Sequence, residues 1–142
     1  MPLITADVGA QAILAKYFNS TAPVGGNDLV LKLFTNDVDP MGDSTTASFV
    51  EAVGGGYTSK SLLAGSFTVS IVASIPQAVY ARQTFIFTGA LTGPQNIYGY
   101  YVVDADGVLV WAERGGAVFT PELNSDRYLV DPLYQLSKGT PT

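Results

Sequence analysis

Residues 96–115 read NIYGYYVVDADGVLVWAERG. Two β-rich runs, Ile97 to Val103 and Val108 to Glu113, flank the connection Asp104-Ala105-Asp106-Gly107. Aspartate and glycine in so short a link predict a tight hairpin turn, with Gly107 taking positive φ. Strict alternation puts Tyr98, Tyr100 and Val102 on one face of the first arm and Ile97, Gly99, Tyr101 and Val103 on the other. In the second arm Leu109 and Trp111 oppose Val108, Val110 and Ala112. Both faces are apolar or aromatic, so neither sits comfortably in water. The hairpin is therefore expected at the centre of a sheet, covered on both sides, by its own sandwich alone or together with a neighbouring chain.

Working outward, the N-terminal side carries a helix and a series of short strands. Ala10, Ile13, Leu14, Tyr17 and Phe18 recur at helical spacing between Thr5 and Phe18. Thr5 fits an N-cap, Asp7 suits the positive helix end, and Pro23, Gly25 and Gly26 stop the helix. Its apolar stripe is expected to pack on the domain's own sheet, or to dock as an arm on a neighbouring subunit. Asp28 to Asn36 is the first strand, with Leu29, Leu31 and Leu33 on one face. The acidic stretch from Asp37 to Asp43 is a loop whose carboxylates match no EF-hand spacing, so a solvated loop is expected in place of a metal site. Thr46 to Val53 reads as a weak strand. Gly54-Gly55-Gly56 lacks a phosphate-loop lysine and opens no helix, which leaves a bulge or a sharp corner. Tyr57 to Leu63 and Ser66 to Val72 are further extended runs. Pro76 is expected to break the chain before a longer strand from Ala78 to Thr88.

Beyond the hairpin, Gly115-Gly116, Pro121 and Asn124-Ser125 read as turns around a short Ala117 to Thr120 segment. Tyr128 to Leu136 is a last strand interrupted at Asp131-Pro132. The sum is an all-β protein: an antiparallel β-sandwich or jelly roll of about eight or nine short strands with one N-terminal α-helix. The expected divisions are a helix or arm at 1–27, the β-sandwich at 28–137 and a polar tail at 138–142.

Composition narrows the function. The chain has 142 residues, enough for one domain with a real core, and 47 % of them are apolar. Only 13 % are charged, about half the usual ~25 % of a soluble domain. A weakly charged, aromatic-rich β protein suits life in an assembly. The net charge of −5, without a basic stripe to neutralise phosphates, argues against a direct nucleic-acid partner. No cysteine and no histidine are present, which removes disulfides, thiol nucleophiles, the usual general base and the commonest metal ligands. No apolar run has the length of a membrane span and no signal-peptide pattern opens the chain, so folding in the cytoplasm and no membrane partner are expected. No cofactor is implied. Nearly all the aspartates lie in turns, so a glycosidase-like carboxylate pair is not indicated either, and the protein reads as a non-enzyme.

The remaining chemistry is that of contact. Tyr98, Tyr100, Tyr101, Trp111, Tyr128 and Tyr134 supply more aromatic area than one small sandwich is expected to hide. Glu113 beside Arg114, just after Trp111, reads as a salt bridge or an interface contact. The candidate interface residues are Ile13, Leu14, Tyr17 and Phe18 on the helix, with Tyr98, Tyr100, Trp111, Glu113 and Arg114 on the hairpin.

Four stretches carry a resemblance: LVLKLFTNDVDP at 29–40, GGGYTSKSL at 54–62, TFIFTGALTGPQNIYGYYVVDADGVLVWAE at 84–113, and YLVDPLYQLS at 128–137. Together they are similar to small virion structural proteins of tailed bacteriophages, over about residues 28–137. The resemblance implies a non-enzymatic β protein of the phage particle. The role it implies first is a cement or decoration protein, a homotrimer on the capsid exterior bound to the major capsid protein. It offers no catalytic residues to carry across. Two alternatives remain open at this point: a tail, fibre or host-adhesion component, and a carbohydrate-binding β-sandwich module.

Overall fold

A computed structural model describes residues 7–19 and 28–136. Helix α1 spans Asp7–Asn19. Nine strands follow: β1 Leu29–Phe34, β2 Lys60–Leu62, β3 Thr68–Val72, β4 Ile75–Val79, β5 Gln83–Ile86, β6 Ile97–Val103, β7 Leu109–Phe119, β8 Arg127–Val130 and β9 Leu133–Gln135. The fold is all-β and antiparallel, with one helix, in three sheets ordered β2-β1-β6-β7, β3-β4-β9 and β5-β8. Asp7 opens α1, while the cap expected of Thr5, the stop at Pro23, Gly25 and Gly26, and the polar tail lie outside the described residues. Among those described, no helix is long and apolar enough to cross a membrane.

Leu29, Leu31 and Leu33 project from the four-stranded sheet into a core shared with Ala78, Phe85 and Val130 of the two smaller sheets and with Phe87 just beyond β5. The helix belongs to this core: Leu14 and Phe18 are 3 % and 2 % exposed, and α1 packs on β3 and β4. The opposite face of the same sheet is also covered. Phe34, Tyr101 and Val103 form a second cluster with Phe49, which the 35–53 segment lays over them. Of the two alternatives for the second cover, the chain supplies it for itself. Every described aromatic side chain except Tyr17 is at least half-buried within this one chain, so the expected aromatic excess does not arise.

Several local expectations are overturned. The hairpin is not wholly central, since β6 is interior but β7 is an edge strand. Thr46 to Val53 is not a strand. Thr46–Ser48 is a 3₁₀ turn, and one isolated bridge joins Phe34 to Glu51. Asn36 explains this: its side chain bonds Ser48 O and Val50 N, standing in for a second ladder. Pro76 does not end a strand but lies inside β4, opposite Ile71. The break falls instead at Ala73-Ser74, a two-residue turn with φ of 49° and 63°. The carbonyl of Pro76 accepts from Leu136 N, and lacking an N–H it sits where the β9 ladder ends. Gly115-Gly116 does not turn the chain; β7 runs through it to Phe119 as a bulge, with Ile97 opposite Phe119 and Gly99 opposite Arg114.

Other expectations hold. Gly107 has φ of 81°, and Asp104 closes the turn by accepting from Asp106 N and Val108 N. The triple glycine makes the sharp corner. Thr88 N donates to Gly55 O, and a Cβ on Gly55 would lie 2.7 Å from Gly89 O. The break at Asp131-Pro132 hands the chain from β8, paired with β5, to β9, paired with β4. Arg82 grips Asp131 with two hydrogen bonds of 2.7 and 2.9 Å across that step.

Candidate interaction surface

Two irregularities in the hairpin decide where the candidate residues point. Val102 pairs with Trp111 and Val103 with Leu109, so Val110 is an extra residue that reverses the alternation of β7. Trp111 consequently joins the sandwich core with Tyr100 and Val102, while Leu109 and Ala112 join the second cluster. The expected pairing of Leu109 with Trp111 on one face is therefore wrong. The larger bulge near Gly99 has the same effect on β6. Ile97 lies with Tyr100 and Val102, whereas Tyr98 lies with Tyr101 and Val103. Tyr98 and Tyr100 are on opposite faces.

The helix stripe divides as well. Leu14 and Phe18 point inward, but Ile13 and Tyr17 are 59 % and 43 % exposed. Phe18 is the hub of an aromatic cluster, with ring centroids 4.7 Å from Phe67, 5.4 Å from Tyr134 and 6.0 Å from Trp111. Gly65 N donates to the carbonyl of Phe18 and pins the end of the helix. Burial, the nearby charge of Asp104 and the ring of Tyr134 raise the phenol pKa of Tyr17. The helix candidates and Trp111 therefore do meet, around Phe18.

Glu113 and Arg114 do not pair with each other, because neighbours in a strand face opposite ways. On the sandwich side, Trp111 Nε1 donates to Tyr100 Oη at 3.3 Å, and Tyr100 Oη donates to Glu113 Oε2 at 2.8 Å. Burial first, and then the bond to Glu113, push the Tyr100 phenol well above its ordinary range. It stays protonated and satisfied on both sides, as a structural link and not as a nucleophile. On the other face, Arg114 reaches Asp37 at 2.7 Å and Asp39 at 3.3 Å, with its guanidinium 5.2 Å from the Tyr98 ring centroid. Two carboxylates of the acidic loop are thus turned toward a guanidinium. Among the described residues no group of three or more acidic side chains is placed to hold a metal ion.

Two features escaped the sequence. Tyr57 Oη accepts from Leu33 N and donates to Glu51 Oε1, whose other oxygen takes Lys32 Nζ at 3.0 Å. A cleft of about 380 Å³ also lies between the Pro40–Ser44 loop and Leu109 to Ala112 on β7. The only local signal for the cleft was the loop itself, because its two walls are far apart in the chain. No family model, no curated protein and no solved structure matches this chain.

Proposed function

We propose that this chain is a non-enzymatic structural protein of a tailed-phage virion, most specifically a cement or decoration protein. In this reading it acts as a homotrimer on the capsid exterior, bound to the major capsid protein, after folding in the host cytoplasm. The observation that carries the reading is how the chain distributes its apolar surface. Apart from Tyr17, the described aromatics are spent on two internal cores, while Ile13 and Tyr17 on α1 and, among the described residues, the unpaired edge of β7 face outward. A body held together by its own aromatics has its aliphatic residues and strand edge free for partner subunits. The phage resemblance of about residues 28–137 supplies the setting. The mechanism is mechanical: interfaces of roughly 1,600 Å² repeated across capsomer junctions add resistance to the pressure of packed DNA.

A flat aromatic platform for sugar rings is not what the geometry favours. Tyr100 and Tyr101 are buried, Tyr98 lies under Arg114, and Tyr17 is the one exposed aromatic among the described residues. Separating purified virions into heads and tails, with quantitative mass spectrometry of each, tests the proposal. Copy numbers in heads near that of the capsid protein are expected. A few copies confined to tails would move the function to a tail or adhesion component, and absence from both fractions would refute a virion role.

A further inference from the structure

Among the described residues the outer edge of β7 is open: no second strand pairs with β7, and no backbone group outside β6 bonds it. Asp104 N donates to Val108 O at 3.0 Å, which makes that pair hydrogen-bonded. Alternation from there, carried through the one-residue bulge at Val110, makes Tyr101/Ala112 and Gly99/Arg114 the pairs that exchange no bonds. The N–H and C=O of Ala112 and Arg114 therefore point away from the sheet. The bulges at either end and the charges of Glu113 and Arg114 guard the edge against indiscriminate pairing. They leave a short straight window from Trp111 to Arg114.

The cleft runs beside this window. An added strand would drop alternate side chains between the loop carrying Met41, which is 70 % exposed, and Leu109. Acidic residues flank the cleft's lining: Asp39 and Asp43 adjoin Pro40, Gly42 and Ser44 in the loop, and Asp104 and Asp106 lie in the hairpin turn, which Thr46 Oγ1 ties to the same segment by donating to Gly107 O. Among the described residues, the cations Lys32 and Arg114 on this face are already taken, Lys32 by Glu51 and Arg114 by Asp37 and Asp39. Pairing β7 with the β7 of a second copy would press two acidic rims together. We infer that the β7 edge and its cleft accept an extended segment of a partner protein, with lysine or arginine alternating with apolar residues, as an added β-strand. The inference concerns the recognition chemistry and does not depend on virion location.

Selection from a displayed random peptide library on the immobilised protein tests it. Enriched sequences are expected to alternate basic and apolar residues. A synthetic peptide of that sequence should bind with affinity that falls as salt rises, and should perturb backbone amide resonances at Trp111 to Arg114. Ala112→Pro removes the outward N–H and should weaken that peptide at least about tenfold. Asp43→Lys with Asp106→Lys leaves the strand untouched and should weaken it by a similar factor. Failure to enrich any peptide, enrichment without basic residues, or binding unchanged by the double lysine variant would each overturn the inference. So would a wild-type dimer that Ala112→Pro converts to a folded monomer, since it would assign the edge to a second copy.

Discussion

Removing the ring of Phe18 should detach the helix from the sandwich. Phe18 is 2 % exposed and sits among Phe67, Trp111 and Tyr134, with centroids at 4.7 to 6.0 Å. Phe→Ala in such a site loses the transfer free energy of the ring and leaves a cavity, together about 3–5 kcal/mol. Three aromatic neighbours lie on different elements and cannot all collapse inward, which favours the upper half of that range. For a domain of this size that is a fall in Tm of about 13–17 °C. Thermal unfolding by circular dichroism measures it. The chain has a single tryptophan, Trp111, on the far side of the lost ring, so its emission reports the same event locally and should shift to longer wavelength. Ile13→Ala, one position from Leu14 but 59 % exposed, is the control and should change stability by less than about 0.5 kcal/mol. A Phe18→Ala protein that melts within about 2 °C of wild type, with unshifted emission, would show that α1 is not docked as described.

Three further outcomes follow from other contacts. Gly99→Ala should destabilise by about 2–3 kcal/mol in a urea titration, because its Cβ would meet Glu113 O and lie 2.9 Å from the Phe34 ring; Gly116→Ala, with open space around it, should cost well under about 1 kcal/mol. Tyr57→Phe strands Leu33 N and frees Glu51 Oε1, and should cost about 1–3 kcal/mol by the same titration. Acid should loosen the protein. The guanidinium of Arg82 lowers the carboxyl of Asp131, and the backbone N–H groups of Glu122 and Leu123 lower that of Asp126. A carboxylate lowered on folding stabilises fully above its unfolded pKa, and that contribution is lost as pH falls through the folded value. Tm should therefore drop below about pH 4, and Asp126→Asn with Asp131→Asn should flatten that drop while lowering the plateau above it.

Much of the architecture was legible residue by residue because it rests on local physics. The 3.6 spacing of Ile13, Leu14, Tyr17 and Phe18 gives a helix, the alternation of Leu29, Leu31 and Leu33 gives a half-buried strand, and Asp-Gly and Gly-Gly-Gly give a turn and a corner. What failed did so where a distant partner overrides the local pattern. A strict period of two cannot anticipate the bulges at Val110 and Gly115-Gly116, because each exists only relative to the register of β6. Pro76 looked like a breaker, yet it fits where the β9 ladder no longer needs its N–H. Of the candidate contact residues, Leu14, Phe18 and Tyr100 proved to be core, and Glu113 and Arg114 went to opposite faces. Burial of an apolar stripe is legible in sequence, but which half of the stripe is buried depends on what it meets.

The amino-acid sequence by itself determined an all-β chain with one helix, a tight Asp-Gly hairpin, a break at Asp131-Pro132 and no thiol or imidazole chemistry, because each follows from side-chain volume, backbone freedom or composition. Only the tertiary structure decided that the 35–53 segment covers the second face of the main sheet, that β7 is an open edge, and that Arg114 is held by Asp37 and Asp39. Those outcomes depend on contacts between residues far apart in the chain, whose energies no local window contains.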